Sequence, residues 1–339
     1  MKQAAFSVIV GGQDITLNLS PVLISLNVSD KAGISSDTAS IEIDDTDGRV
    51  VMPRPGSLVL ISLGWVGQGI GLVFQGTVDE VRASGSRSGR TLSISAKGMD
   101  TREKPKQGQR RHFDDTTIGD ALKTTGEAAG LSVSVDPALA SLRRPYIALD
   151  DESFVAFGER IAKEVGGTFK IVGTNAILAK RNGGQAPGGG DLPTITAAWG
   201  SNLHDYDISP ILGRPVEKEA LARWYDMRKA DWLKTTAETE TEGGITIKPA
   251  RFAEPDEDRA GEQTKADAAE SDRRSGEGSV TIEGNIAAQP EGTCIVAGCR
   301  PGVDGVYRIE AVDHEYSRGG FTTRLELRQP KGAAGKDSR

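Results

Sequence analysis

The stretch that decides the fold lies near the end of the chain, at Val303–Arg328, and reads VDGVYRIEAVDHEYSRGGFTTRLELR. It predicts a strand, a tight turn and a second strand. Apolar residues alternate from Phe321 to Leu327, which is the period of a strand with one buried face. In the first strand the apolar side changes between Ile309 and Val312. We therefore expect a β-bulge or bend near Ala311.

The same design occurs once more, far upstream, where Phe74–Gly85 leads through a turn into Thr91–Ala96. The best correspondence places Val78-Asp79 on Val312-Asp313 and Leu92-Ser93-Ile94 on Leu325-Glu326-Leu327, with a spacing that differs by one residue. A pattern that recurs within one chain indicates a repeated structural unit. The sequence therefore predicts two similar β domains.

Glycine-rich turns separate many short strands, which favours small β-barrels. Asp304-Gly305 predicts a hairpin turn, since glycine tolerates a positive φ. Gly64–Gly71 superficially matches a dinucleotide fingerprint, but its third glycine is misplaced and a strand follows, so we expect a hairpin loop. Asp44–Gly48 lacks the ligand spacing of a calcium loop, which favours a plain turn.

Length and composition exclude several classes of protein. The 339 residues are enough for two or three domains. A net charge of −7 argues against a polyanion-binding surface, and 5% aromatic residues are too few for an aromatic nucleic-acid platform. Cys294 and Cys299 are expected on opposite faces of a strand, as buried small residues rather than a disulfide or metal pair. Two cysteines favour synthesis in a reducing cytoplasm.

No segment reaches the length of a membrane span, so no stable membrane insertion is expected. The apolar part of residues 1–12 is too short for a signal peptide and predicts a first strand and turn.

The sequence predicts a mainly β fold with an α+β insert: two similar small β-barrel domains and one insertion domain. The expected boundaries are a first barrel at 1–100, a connector at 101–115, an α+β insert at 116–180, a Gly-rich linker at 181–193, a second barrel at 194–330 with a charged helix near 256–275, and a disordered tail at 331–339.

The insert contains two predicted helices and a hairpin. The first helix is capped by Thr116 or Thr117 and ends at Gly130. The second begins near Asp151. We expect Asp150–Glu152 to supply its N-cap and first-turn acids, with a catalytic acid pair as the alternative.

Two polar segments are expected to be solvated. The connector carries Arg102, Lys104, Lys106, Arg110 and Arg111, and a nucleic-acid patch is its alternative role. The linker lacks the Gly-Lys-Ser/Thr ending of a phosphate-binding loop.

In the second barrel, Trp199, Trp224 and Trp232 are expected to anchor the core, with a sugar-binding platform as the alternative. The charged helix has a stripe of alanines that allows close packing on a sheet.

The search for catalytic chemistry finds no constellation. His112, His204 and His314 are scattered and lack neighbours at metal-ligand spacing. His314 is expected to be a packed structural histidine. We predict no catalytic, cofactor-binding or metal-binding residue and no enzymatic activity. Acid pairs are plentiful, so a glycosidase with carboxylates in the insert or second barrel remains the rival enzyme.

Asp304–His314 together with Gly319–Leu327 resembles the closing segment of the phage late control protein D family. These are baseplate hub proteins of contractile-tailed phages, similar in fold to the N-terminal part of type VI secretion spike proteins. The order of domains fits this family, which has no catalytic residues to carry over. Because the chain ends soon after Leu327, a stand-alone hub without a β-helical needle is expected.

The resemblance implies a virion protein of the tail baseplate, assembled in the bacterial host cytoplasm. It implies that the two barrels are of tail-tube type, and that three chains form a homotrimer with six barrels, joining a six-fold tail tube to a three-fold spike around a central channel. The implied partners are the spike, the tail tube or its initiator, the tape-measure protein and other baseplate proteins, with DNA only in transit. The alternatives are a tail-associated cell-wall hydrolase and a glycan-binding tail protein.

Overall fold

Short alternating strands build most of the chain, as seen in a computed structural model that describes residues 2–33, 37–87, 89–98, 104–181, 190–212, 217–241 and 243–337. Strands account for 54% of the described residues and helices for 16%. The mainly β fold class is therefore confirmed.

The first β domain comes from the N-terminal third. Its elements are β1 (Ala4–Val10), β2 (Gln13–Asp14), α1 (Thr16–Leu19), β3 (Leu23–Lys31), β4 (Thr38–Asp44), β5 (Leu58–Trp65), β6 (Gly69–Ser86) and β7 (Gly89–Lys97). Alternate residues enter one core, and Ala39, Ile41 and Ile43 are buried as predicted. The loop between β5 and β6 is the expected hairpin connection. Asp44 accepts hydrogen bonds from the backbone and hydroxyl of Thr46, which makes the expected turn.

The insert packs helices on a small sheet. Its elements are a 3-10 turn (Lys104–Lys106), β8 (Gly108–Thr117), α2 (Ile118–Ala128), β9 (Ser132–Val135), α3 (Pro137–Ala140), β10 (Arg143–Ser153), α4 (Phe154–Glu164), β11 (Gly167–Val172) and β12 (Asn175–Lys180). Thr117 caps α2 by accepting a hydrogen bond from the backbone N–H of Asp120, as predicted. Gly130 follows α2 with a φ of +80°, which suits a glycine stop.

The structure corrects two expectations in the insert. The polar stretch described as a connector contains β8, which pairs antiparallel with β10. Helix α4 begins after Ser153, whose hydroxyl accepts from the N–H of Ala156, so Asp150–Glu152 provide neither the cap nor first-turn acids. They end β10 at an irregularity, where Arg110 pairs with Asp150 and Asp151, and Arg160 pairs with Glu152.

The C-terminal part contains the second β domain, interrupted by a small layer. The elements are β13 (Thr194–Ala198), β14 (Leu203–Ser209), β15 (Glu217–Asp226), β16 (Asp231–Glu238), β17 (Thr246–Pro249), α5 (Glu257–Arg273), β18 (Glu277–Glu283), β19 (Thr293–Ala297), β20 (Gly305–Ser317) and β21 (Gly320–Lys331). Strands β15–β17 form a separate sheet on which α5 packs through Ala220 and Ala222.

The terminal hairpin has its predicted faces. Phe321, Thr323, Leu325 and Leu327 are all buried. The register of β20 and β21 shifts between Ile309 and Ala311, so the expected bulge is confirmed.

The turn expected at Asp304-Gly305 is wrong. Residues 298–304 form a longer loop, in which the Asp304 carboxylate accepts hydrogen bonds from the N–H groups of Cys299 and Arg300. The tight turn instead follows Ser317. Cys294 is buried as predicted, whereas Cys299 is half-buried in this loop, and neither forms a disulfide.

Two further expectations about the second domain are wrong. The tryptophans are absent from its buried core: Trp199 and Trp232 are 53% and 58% exposed, and Trp224 lies in the β15–β17 sheet. The segment expected as a disordered tail is ordered as far as residue 337 and packs on the 298–304 loop. Ala334 is buried there, and Arg300 pairs with Asp337 at 3.1 Å. Residues 182–189, most of the expected linker, lie outside the described residues.

Helix α5 ties the insert to the second β domain through ion pairs. Arg144 of β10 is 3% exposed and pairs with Glu164 of α4 and Glu262 of α5. Arg273, at the other end of α5, pairs with Glu291 and Glu310. A buried cation needs such partners because its desolvation is costly.

The insert docks on the first β domain through one lysine and two carboxylates. Lys170 of β11 pairs with Asp30 of β3. It also pairs with Asp37, which lies just before β4, at 2.9 Å between Nζ and Oδ1. Burial, and then repulsion from Asp30, raise the pKa of Asp37 to about 7, although Lys170 opposes the shift. Folding therefore favours the protonated form of Asp37.

This contact predicts a pH-dependent stability. The folded pKa of Asp37 lies above its ordinary value of 3.8. Its contribution to the free energy of unfolding is therefore fully present below about pH 4 and is lost as the pH rises through 7, a change on the order of 4 kcal/mol. Asp37→Asn should flatten this slope, as measured by urea midpoints at pH 5 and pH 8. The control, Asp47→Asn at an exposed site, should keep the wild-type slope, and an unchanged slope in Asp37→Asn would contradict the assignment.

Candidate functional site

The two β domains are joined edge to edge in one 13-stranded sheet. Strand β3 of the first domain pairs antiparallel with the second half of β20. The register runs from Lys31 opposite Ala311 to Ser25 opposite Ser317. We call this contact the internal junction. It joins the two domains into one continuous β-sheet.

Apolar packing reinforces the internal junction. Phe321 of β21 is 2% exposed and belongs to the core of the first domain. Its ring lies 5.7 Å from that of Trp65, and the Trp65 indole N–H donates to the carbonyl of Gly284 at 2.9 Å. Phe6 and Tyr316 contact each other across the same boundary, with ring centroids 4.8 Å apart.

The two domains have the same strand order. In the first it is β1-β5-β6-β7-β4-β3, and in the second it is β13-β19-β20-β21-β18-β14. These strands also follow one another along the chain in the same sequence. One difference is that β13 runs parallel to β19, whereas β1 runs antiparallel to β5.

The registers of the two hairpins also agree, residue by residue. The bulge at Asp79 in β6 corresponds to that at Glu310 in β20, and the pair Val81–Ile94 corresponds to Val312–Leu325. The closing pairs, Ser86–Gly89 and Ser317–Gly320, match as well. Every one of these positions is 231 residues from its counterpart. The predicted repeat is thus present, but its proposed alignment, Val78 on Val312 with unequal spacing, was shifted.

Strands β3 and β14 are equivalent in the same way. Each has a register shift after its first paired residue, and Leu23–Ser29 corresponds to Leu203–Ser209 at a constant offset of 180. Since β3 and β20 form the internal junction, their counterparts are β14 and β6.

Those counterparts have open edges. Within the described part of the chain, Glu80–Ser86 of β6 pair with β7 on one side and have no strand on the other. Strand β14 pairs with β18 and, among the residues that the structure describes, has only a single bridge at Leu203 on its second edge, which is otherwise open. Unpaired edges bind further strands readily. The sequence did not predict these edges, because they depend on which strands are neighbours in space.

The side of the shared sheet that faces away from the cores is polar and acidic. On β3, β4, β6, β7, β14, β18, β20 and β21 it carries Asn27, Ser29, Ser40, Glu42, Glu80, Arg82, Ser93, Ser95, Lys97, Asp205, Asp207, Ser279, Thr281, Asp313, Glu315, Thr322, Arg324 and Glu326. Seven of these side chains are carboxylates and three are basic, and none is aromatic. We call this surface the polar face.

The three histidines lie far apart on different elements. His112 on β8 and His204 on β14 are exposed. His314 is buried under the internal junction, with Nδ1 2.9 Å from the Thr323 hydroxyl, and burial lowers its pKa to about 4. The described residues include no group of three or more His, Cys, Asp or Glu side chains placed to hold a metal ion. They also include no helix long and apolar enough to cross a membrane.

Comparison with known proteins identifies one relative over nearly the whole chain and a second over part of it. A protein of Escherichia phage 186, named as a probable baseplate hub protein, is 29% identical over 95% of this chain and 92% of its own length. The chain is a relative of phage baseplate hub proteins. A protein of the same name from Escherichia phage P2 is 31% identical over 59% of the chain and 51% of its own length. The resemblance predicted from the terminal hairpin is therefore confirmed, although no family model matches.

Solved structures confirm the fold of this hub relative. The 43 kDa tail protein of prophage MuSo2 from Shewanella oneidensis aligns with a TM-score of 0.70 at 14% identity, covering 96% of this chain and 98% of that one. The Escherichia coli c3393 protein, a type VI secretion component, aligns with a TM-score of 0.59 at 10% identity, covering 98% and 79%. At these identities the likeness concerns the fold alone.

Proposed function

We propose that this chain is the baseplate hub of a phage tail, and that three copies form a ring with a central channel, which joins a six-fold tube to a three-fold spike. The role is structural rather than enzymatic. The names of the two phage relatives support the hub, and the repeated domain supports the ring.

The observation that carries the ring is the pair of open edges. Inside the chain, β3 pairs with β20. By the constant offsets, β14 of one chain should pair with β6 of the next in the same register, Asp205–Ser209 against Arg82–Ser86. Such a contact joins two different surfaces, so it repeats head to tail and closes when the rotation allows. Three chains would then place six similar β domains in a circle.

The side chains at the open edges are complementary in size. At the internal junction, Tyr316 and His314 of β20 lie opposite Leu26 and Val28. Their counterparts on β6 are the small residues Gly85 and Ala83. The facing positions on β14 are Tyr206 and Ile208, which are larger than their counterparts Leu26 and Val28. In the proposed contact the large side chains therefore come from β14 rather than from β6, and they fill the space that Gly85 and Ala83 leave.

Proline limits the length of this proposed pairing. The N–H of Ala32 donates to the carbonyl of Glu310, so alternate residues of β3 direct their N–H groups to β20. The counterpart of Asp30 is Pro210, which has no N–H to donate. The proposed ladder therefore ends at Ser209.

The polar face suits the wall of a channel for DNA. Its excess of carboxylates repels phosphate, and its small hydroxyl side chains offer no aromatic surface on which bases could stack. The β domains occur twice in each chain, whereas the insert occurs once. A trimer would thus present both six-fold and three-fold features, which is what a tube-to-spike adaptor needs.

The remaining assignments are part of the same proposal. The partners are the spike, the tail tube or its initiator, the tape-measure protein and other baseplate proteins. The site of action is the virion baseplate, after assembly in the host cytoplasm.

Light scattering of the purified 339-residue chain tests the ring. We expect a particle of three times the chain mass at micromolar concentration. The Ile208→Pro variant should be a monomer, because it removes an N–H from the middle of the proposed ladder. Ile247→Pro, on the separate β15–β17 sheet, is the matched control and should remain trimeric. A wild-type chain that stays monomeric at high concentration, even with its spike protein present, would contradict the proposal.

A further inference from the structure

The β15–β17 sheet has one covered face and one open face. Ala220 and Ala222 lie under α5 and are buried. On the opposite face a groove of about 680 Å³ runs between β16 and the segment that follows β17. Its principal side chains are Leu221, Arg223, Trp232, Lys234, Arg251 and Phe252. We call it the basic groove.

The aromatic residues of the basic groove are exposed and held in place. Trp232 is 58% exposed and Phe252 is 72% exposed. Tyr225 lies directly opposite Trp232 across the strands, with ring centroids 5.3 Å apart. Arg251 lies over the Phe252 ring at 5.2 Å. Exposed Trp, Tyr and Arg in one concave patch is the composition of a protein interface.

The charges of the groove are unbalanced. Arg223 and Lys234 are directly opposite each other on neighbouring strands, an arrangement that is destabilising for like charges. Within the described part of the chain, neither has an ion-pair partner. The side chains that line the groove include three cations and no Asp, Glu, Asn or Gln. This occurs in a chain whose net charge is −7.

We propose that the basic groove binds an acidic segment of another baseplate protein, in which Asp or Glu side chains flank an apolar residue. The carboxylates would neutralise Arg223, Lys234 and Arg251, and the apolar residue would pack on Trp232 and Phe252. A glycan is disfavoured because sugar hydroxyls also need acceptors, and the lining side chains of the groove are donors only. The inference rests on the proposed hub function, since it places the partner in the same particle.

Photocrosslinking in assembled particles tests this inference. Phe252→p-benzoylphenylalanine places a reactive aromatic group in the groove, and Leu17→p-benzoylphenylalanine places it at a distant exposed site. After irradiation, mass spectrometry identifies the linked peptide. We expect a link from position 252 to a different baseplate protein, within a few residues of at least two carboxylates, and no such link from position 17.

Charge reversal provides the second measurement. Arg223→Glu with Lys234→Glu should lower the cross-link yield about tenfold or more. The matched reversal of two exposed cations elsewhere, Lys106→Glu with Lys123→Glu, should leave the yield unchanged. No link, a link to a second copy of this chain, or a link to polysaccharide would overturn the inference. Immunodetection separates the two proposals: a chain absent from the particles refutes the hub function, whereas a chain present without the link refutes only the groove.

Discussion

Oxidation of the double variant Ser84→Cys, Asp207→Cys should link chains into a covalent trimer. At the internal junction, the counterparts of these residues are Glu315 and Asn27, which lie opposite each other without sharing hydrogen bonds. Such pairs bring Cα atoms to about 4.5 Å, close enough for a disulfide. Non-reducing electrophoresis should show the monomer band largely replaced by a band of three chains.

A variant with one cysteine on the opposite face of the sheet controls for disulfides formed by random collision of chains. Ala83→Cys with Asp207→Cys shifts one thiol by a single residue, so the two side chains point to opposite sides of the sheet. This variant should stay monomeric on the gel. If both variants cross-link equally, or if neither does while the protein is a trimer in solution, β14 and β6 do not pair in the proposed register.

Phe321→Ala should lower the free energy of unfolding by about 3–5 kcal/mol, the usual cost of removing a buried phenylalanine ring. Phe321 lies on β21 of the second domain but packs in the core of the first, against Trp65 and His314. The loss should therefore separate the two domains as well as leave a cavity. Urea unfolding should show a lower midpoint and, if the domains uncouple, two transitions instead of one.

The comparison variant for this prediction is Leu17→Ala, because Leu17 is 89% exposed. Its midpoint should match that of the wild type within experimental error. A Phe321→Ala protein that unfolds like the control would show that the Phe321 ring does not stabilise the internal junction.

The spacing of apolar residues, together with the residue types typical of turns and helix caps, was sufficient to predict the elements with one apolar face. The terminal hairpin, its bulge, β4 and helix α2 all carry apolar residues at regular spacing, so their faces could be predicted from the sequence. The resemblance to hub proteins was inferred from the sequence of the same hairpin.

The elements that the sequence did not reveal lack this signal. Strand β8 is polar along most of its length and is held by pairing with β10. Because it lacks an alternating apolar face, its sequence predicted a solvated connector instead of a strand. The tryptophans were expected in the core of the second domain, but Trp199 and Trp232 are exposed and Trp224 is half-buried in the β15–β17 sheet. The open edges of β6 and β14 depend on which strands are neighbours in space, and alternation within one strand contains no such information.

The internal junction has a consequence for how the proposed ring would come apart. Three of its six seams are formed within a chain and are tethered by covalent backbone, while the other three are formed between chains. Dissociation of the ring would therefore separate the chains at alternate seams, and the hub would release three units of two domains each, which the backbone keeps together.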